Sequence, residues 1–152
     1  MLVDRPEAKP LHLQIRYLDE ILRHNLAAQA VLAVGEELAL PGWYPGAGCI
    51  AQSVWNVRHG YDPAVGIKDY DLVYFDAGDL SLEAENYVEH EVAGRLSDLA
   101  VIVDVKNQAR VHLWYPNRFG RTIEPYHSTE EAIATWPTTA SSVVVRRDRD
   151  GS

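Results

Sequence analysis
The chain has 152 residues, 47% apolar and 24% charged, which suits one globular domain with its own core and excludes a fibrous or disordered chain. A formal charge of −8 argues against a protein that grips nucleic acid through a broad basic face, so no general nucleic-acid-binding surface is expected. The single cysteine, Cys49, excludes an internal disulfide and any cysteine-built zinc site. No apolar stretch nears the ~20 residues that span a bilayer, and residues 1–10 lack the apolar core of a signal peptide. A cytoplasmic protein with no membrane partner is the expectation.

Leu11, Ile15, Leu18, Ile21 and Leu22 recur at helical spacing and predict helix over residues 11–40, with a break at Asn25 and a second Ala/Leu-rich helix over 27–38. Both read as core-builders. Pro41-Gly42 ends this region, and Trp43-Tyr44-Pro45 reads as a brief extended segment leading into Gly46-Ala47-Gly48. A third helix is expected over 49–57, closed by His59-Gly60, and a strand over 68–75. Ser81 suits the cap of a helix over 82–96, with Ala84 and Glu85 in its first turn. A strand over 99–105 follows, then a bend at Asn107-Gln108, a strand over 109–115 and a loop over 116–126. Ser128 or Thr129 can cap a short helix over 130–136, which Pro137 stops, before a last strand over 142–146. Residues 1–10 and 147–152 read as flexible ends of a single domain spanning 1–152.

Asp69-Tyr70-Asp71 heads the apolar run Leu72-Val73-Tyr74-Phe75 and carries the most chemistry. Side chains in a strand alternate faces, so Asp69 and Asp71 share one face while Tyr70 takes the other. Two carboxylates so placed repel each other unless a cation joins them, and oxygen-only ligands suit Mg²⁺. Leu99-Ala100-Val101-Ile102-Val103 ends in a third acid, Asp104. Three carboxylates on two strands are what a two-metal phosphoryl or nucleotidyl transfer site requires, although a lone pair of strand-end aspartates is more often a solvated turn. Asp76 falls on the opposite face and reads as a turn residue.

Gly46 and Gly48 precede a helix, an arrangement that lets backbone N–H groups approach phosphate oxygens. Residues 38–61 and 105–123 contain no acid, and the second stretch holds Lys106, Arg110, Arg118 and Arg121. Phosphates could lie there without repulsion, and Lys106 and Arg110 are the candidate contacts. Asn107-Gln108 could meet base or sugar edges, but bends use the same residue types. His112 reads as a core histidine sharing a face with Arg110.

The order of glycine turn, helix, strand with two acids, helix, and strand with a third acid resembles the nucleotidyltransferase superfamily of the DNA polymerase β type. A closer resemblance is to a bacterial family of small nucleotidyltransferase-like proteins. It is carried by Ala47-Gly48-Cys49-Ile50, Val54-Trp55-Asn56, His59-Gly60-Tyr61, residues 69–76, residues 105–114 and residues 134–140. The resemblance implies an α+β fold, a mixed β-sheet flanked by helices. It also implies a metal-dependent transfer of a nucleotidyl group from a nucleoside triphosphate to a hydroxyl acceptor that the sequence does not name. Asp69 and Asp71 would hold Mg²⁺ or Mn²⁺, Asp104 would complete the site and activate the acceptor, and Gly46 and Gly48 would bind the nucleotide. The alternative is a non-catalytic nucleotide-binding module of the same fold.

Two departures stand out. The superfamily's Ser after glycine is absent, since Ala47 follows Gly46 and Cys49 follows Gly48; the twenty residues 49–68 then separate Gly48 from the acids, so that the loop over 61–67 reads as an insertion. Ser53 lies one turn further on and is not taken as its replacement. The family also continues into a further C-terminal segment, which reads here as a truncation.

Overall fold
Asn25 ends one helix and begins the next. In the computed structural model, which describes residues 8–46, 48–136 and 146, α1 (Leu11–Arg23) and α2 (Leu26–Leu38) meet at this residue. The Asn25 side chain accepts from the Ala28 N–H at 3.0 Å and so caps α2. β1 (Tyr44–Gly46), α3 (Gly48–Arg58), β2 (Asp69–Tyr74), α4 (Leu82–Arg95) and β3 (Ile102–Asn107) follow. A short 3-10 turn, Gln108–Arg110, leads into α5 (Val111–Phe119), and α6 (Thr129–Ala134) comes last among the described residues.

The sheet order is β1-β2-β3, with β1 antiparallel to β2 and β2 parallel to β3. Parallel neighbours need a crossover, and α4 supplies it. This is the expected α+β arrangement, a mixed sheet flanked by helices. Tyr70, Leu72, Tyr74, Val103 and Val105 lie on one face of the sheet and pack with Leu22, Val31, Leu32, Ile50, Val92 and Leu96 from α1 to α4 and the turn after α4. No helix among the described residues is long and apolar enough to cross a membrane.

Gly35 of α2 lets β1 approach, because a Cβ there would overlap the ring of Trp43. At the same end of β1 the Tyr44 hydroxyl donates to Glu130 Oε1 at 2.6 Å, and the Arg146 guanidinium lies 4.8 Å from the centre of the Tyr44 ring. Thr129, at the start of α6, donates to the Gly42 carbonyl at 2.6 Å. The short helix after Ser128 is therefore tied back to the strand that precedes the glycine turn.

Three expectations need correction. Residues 109–115 are helical, not a strand. The Asn107 side chain accepts the Ala109 N–H at 3.1 Å and turns the chain into the 3-10 segment before strand pairing can continue. The helix then runs through Pro116, which can donate no hydrogen bond to the His112 carbonyl, and stops at Gly120 with φ 73°. Second, β3 is displaced by two or three residues, so Asp104 sits in mid-strand instead of closing it. Third, α1 builds core only through its last turns: Ile21 and Leu22 are buried, whereas Leu11 and Ile15 are exposed. The predicted strand at 142–146 lies outside the described residues except for Arg146.

A buried hydrogen-bond network joins α2, α3 and β2. Asn25 Nδ2 donates to Ser53 Oγ at 3.0 Å, Ser53 Oγ donates to the Cys49 carbonyl at 2.8 Å, and the Tyr70 hydroxyl donates to Asn25 Oδ1 at 3.2 Å. Asn25→Ala removes a helix cap and leaves two buried hydroxyls short of a partner. It is expected to cost about 2–4 kcal/mol in urea unfolding, against about 1 kcal/mol for Tyr70→Phe. Equal stability of Asn25→Ala and the parent would show that the network contributes nothing.

Candidate functional site
Because Tyr70 is drawn into the core by Asn25, its neighbours Asp69 and Asp71 must face the other way. The register completes the arrangement. Asp71 pairs with Asp104 across the parallel β2–β3 ladder and with Gly46 across the antiparallel β1–β2 ladder. Partners across a ladder share a face, so Asp104 stands beside Asp71 on one side, and on the other Gly46 contributes no side chain. Ile102, Asp104 and Lys106 are the exposed positions of β3, alternating with buried Val103, Val105 and Asn107.

The electrostatics agree with this placement. Burial raises the pKa of Asp71 above its ordinary value, and the charges of Asp104 and then Asp69 raise it further. Asp71 is therefore the centre of a run of like charge. Among the described residues, however, no group of three or more His, Cys, Asp or Glu is gathered tightly enough to hold a metal ion as it stands. Lys106 Nζ lies 3.3 Å from Asp104 Oδ1. The donor set itself, carboxylate oxygens of neighbouring residues on two strands, fits a hard divalent cation.

The glycine turn reaches the same place. Cys49, in the first turn of α3, donates its thiol to the Gly46 carbonyl at 3.1 Å and closes the turn. Burial, followed by the negative charge of Asp71, pushes the Cys49 pKa up to about 11, and the Asp71 backbone N–H reaches the same sulfur. A Cβ at Gly48 would meet nothing within 4 Å, so the start of α3 is open to an approaching group. Ser53 is fully buried in the Asn25 network and does not offer its hydroxyl there.

The two cations are placed differently. Lys106 lies on the acid face, 3.3 Å from Asp104, 3.9 Å from Glu89 and 4.0 Å from Glu85. Arg110 belongs to the 3-10 turn and is directed back into the fold. Its Nε donates to the Leu80 carbonyl at 2.8 Å and its Nη1 to Glu85 Oε1 at 3.0 Å. Glu85, placed by the sequence only in the first turn of α4, has a larger part. It is almost fully buried, and its other oxygen accepts the Asn107 N–H at 2.8 Å. Acids in a helix's first turn ordinarily face solvent, so nothing in the local pattern set Glu85 apart. Asn107 is likewise internal: its Nδ2 donates to the Asp76 carbonyl at 2.8 Å and its Oδ1 accepts the Asp76 N–H at 2.9 Å. This leaves its amide no freedom to read a base or sugar.

Similarity to known proteins adds a family and a fold. A family model described as "Nucleotidyltransferase" matches residues 33–152. A solved NMR structure described as revealing a CCA-adding enzyme head domain is similar over 89% of this chain, with a TM-score of 0.71 and 21% identity. The match covers 66% of that protein, and at this identity the likeness is one of fold. No curated protein matches the chain.

Two outcomes are expected. In chelator at neutral pH, Asp71→Asn should raise the melting temperature by a few degrees. The sign follows from the raised pKa: ionised Asp71 weakens the folded state at neutral pH. On acidification the folded protein takes up that proton before the unfolded chain does, so the penalty vanishes and the two melting curves converge. A variant that melts below the parent at neutral pH would make Asp71 a structural acceptor. Cys49, buried and with its proton held up to about pH 11, should resist iodoacetamide at pH 8 in the native protein and react promptly in denaturant. Fast native alkylation would show that the glycine turn opens.

Proposed function
As the chain belongs to the nucleotidyltransferase family, whose model covers residues 33–152, we propose that it transfers a nucleotidyl group from a nucleoside triphosphate to a hydroxyl acceptor. The observation that carries the reading is Asp71, flanked by Asp69 and Asp104 on one open sheet face and bordered by the glycine turn that opens α3. Asp69 and Asp71 would hold Mg²⁺ or Mn²⁺, with Asp104 completing the set. When bound, such ions would neutralise phosphate charge and hold the reacting oxygens in line.

The chain's own groups then have definite tasks. The open start of α3, with Gly46 and Gly48 before and in its first turn, would receive the triphosphate on backbone N–H groups. The acceptor hydroxyl attacks the α-phosphorus, the bond from that phosphorus to the bridging oxygen breaks, and pyrophosphate leaves. Asp104, exposed on β3, would take the hydroxyl proton. Lys106, within 3.3 Å of Asp104, is positioned to exchange that contact for a phosphate oxygen. The proposed phosphate role of Arg110 becomes one of support, since its guanidinium holds Glu85 beside Lys106.

One observation favours the alternative, a nucleotide-binding module without chemistry. The position after Gly48 carries a buried thiol, and the nearest hydroxyl, Ser53, is committed to the core. Differential scanning with Mg²⁺ or Mn²⁺ and each nucleoside triphosphate tests binding. Stabilisation by several degrees is expected in the parent and should diminish in Lys106→Ala. Pyrophosphate release with a pool of hydroxyl acceptors, abolished in Asp69→Asn, is the result expected of an enzyme. Metal-dependent binding without pyrophosphate would select the module, and no binding of any triphosphate would reject both.

A further inference from the structure
Beyond Gly48, the outer side of α3 serves neither the core nor the acid face. Its exposed positions Gly48, Gln52, Trp55 and His59 are three or four residues apart and so form one stripe along the helix. The stripe begins at the glycine turn and ends at a cavity of about 300 Å³ lined by Trp55, Arg58 and His59. Trp55 is 64% exposed. It is nonetheless held in place. The His59 ring stacks on it at 5.4 Å between centres and 26° between planes, and His59 Nδ1 donates to the Trp55 carbonyl at 2.8 Å.

The ground beneath the stack is also fixed. Asn56, buried on the inner side of α3, donates to the Pro63 and Val65 carbonyls at 3.1 and 2.8 Å and so fastens the following loop to the helix. Residues 38–61 contain no acid, and Arg58 lines the cavity beside Trp55. A braced indole beside a guanidinium is the chemistry that takes a base face and its phosphate together.

We propose that this cavity is a nucleobase subsite, with a base stacked on Trp55 and its phosphate directed to Arg58. The proposal rests on the nucleotidyl-transfer reading. Seven residues of helix carry the stripe only ~10 Å from Gly48 to Trp55, within reach of the nucleotides that the reaction handles. Two sources share this chemistry, the base of the donor triphosphate and the terminal base of an oligonucleotide acceptor.

Equilibrium binding of ATP and of a short unpaired RNA with a free 3′-hydroxyl, both with Mg²⁺, distinguishes them. Trp55→Ala is expected to weaken at least one ligand roughly five- to hundred-fold, and Trp55→Phe to restore most of the loss. Loss confined to ATP assigns the subsite to the donor, loss confined to RNA assigns it to the acceptor, and loss of both assigns it to each. If the alanine variant melts lower, Trp55→Leu keeps the bulk without the stacking face. Unchanged binding of both ligands, or an equal loss in Trp55→Phe, overturns the subsite. Should Asp71→Asn still weaken Mg²⁺-dependent ATP binding in that case, the nucleotidyl reading survives alone. Failure of the parent to bind either ligand removes both.

Discussion

Asn25 is the residue on which the site's orientation depends. Fully buried, it caps α2 through one oxygen, receives the Tyr70 hydroxyl on the same oxygen, and donates to Ser53 of α3. A buried amide must find such partners or forfeit the free energy of its lost hydration. Meeting that requirement fixes which way Tyr70 points. Since a strand alternates faces, fixing Tyr70 also fixes Asp69 and Asp71 on the open side. A slip of one residue in β2 would bury both carboxylates and expose the tyrosine, and the network makes that slip costly.

The charges on the open face are balanced locally. Asp69, Asp71 and Asp104 oppose one another, which is unfavourable in the absence of a cation, and the pKa of Asp71 is raised by burial first and by its two acidic neighbours after that. Lys106 relieves part of it from the β3 side. Behind Lys106, buried Glu85 is held by Arg110 and by the Asn107 N–H, so that this acid is paired on both oxygens. Removing Arg110 would leave a buried charge without its partner, which is more damaging than losing a surface ion pair.

Strand alternation and glycine spacing made the centre of this arrangement legible in the sequence. Asp69 and Asp71 on one face, an acid on the next strand, and a glycine turn before a helix all follow from short-range rules, and the α+β fold with a mixed sheet follows from the family those residues resemble. Long-range partners were not legible. Whether Arg110 faces a ligand or Glu85 depends on how α4 crosses the sheet, which no local pattern encodes. The helix at 111–119 is hidden in the sequence because Val111, Leu113, Trp114 and Tyr115 suit a strand by composition, while a capping bond from Asn107 decides the turn. Asn25 reads as a break, yet the buried network behind the break depends on long-range partners in α3 and β2.

The sheet is narrow, and among the described residues β1 and β3 are its two margins. Unpaired strand margins invite other chains to dock on them and polymerise. β1 blunts its margin by being three residues long with Pro45 in the middle. β3 is longer and carries exposed Ile102, so Asp104 and Lys106 are the charges that discourage a stranger from zipping onto it. The groups assigned to chemistry thus have a second, colloidal duty. Replacing both with apolar residues would remove the proposed proton acceptor and phosphate contact, and would also leave an apolar ribbon where, among the described residues, the sheet ends.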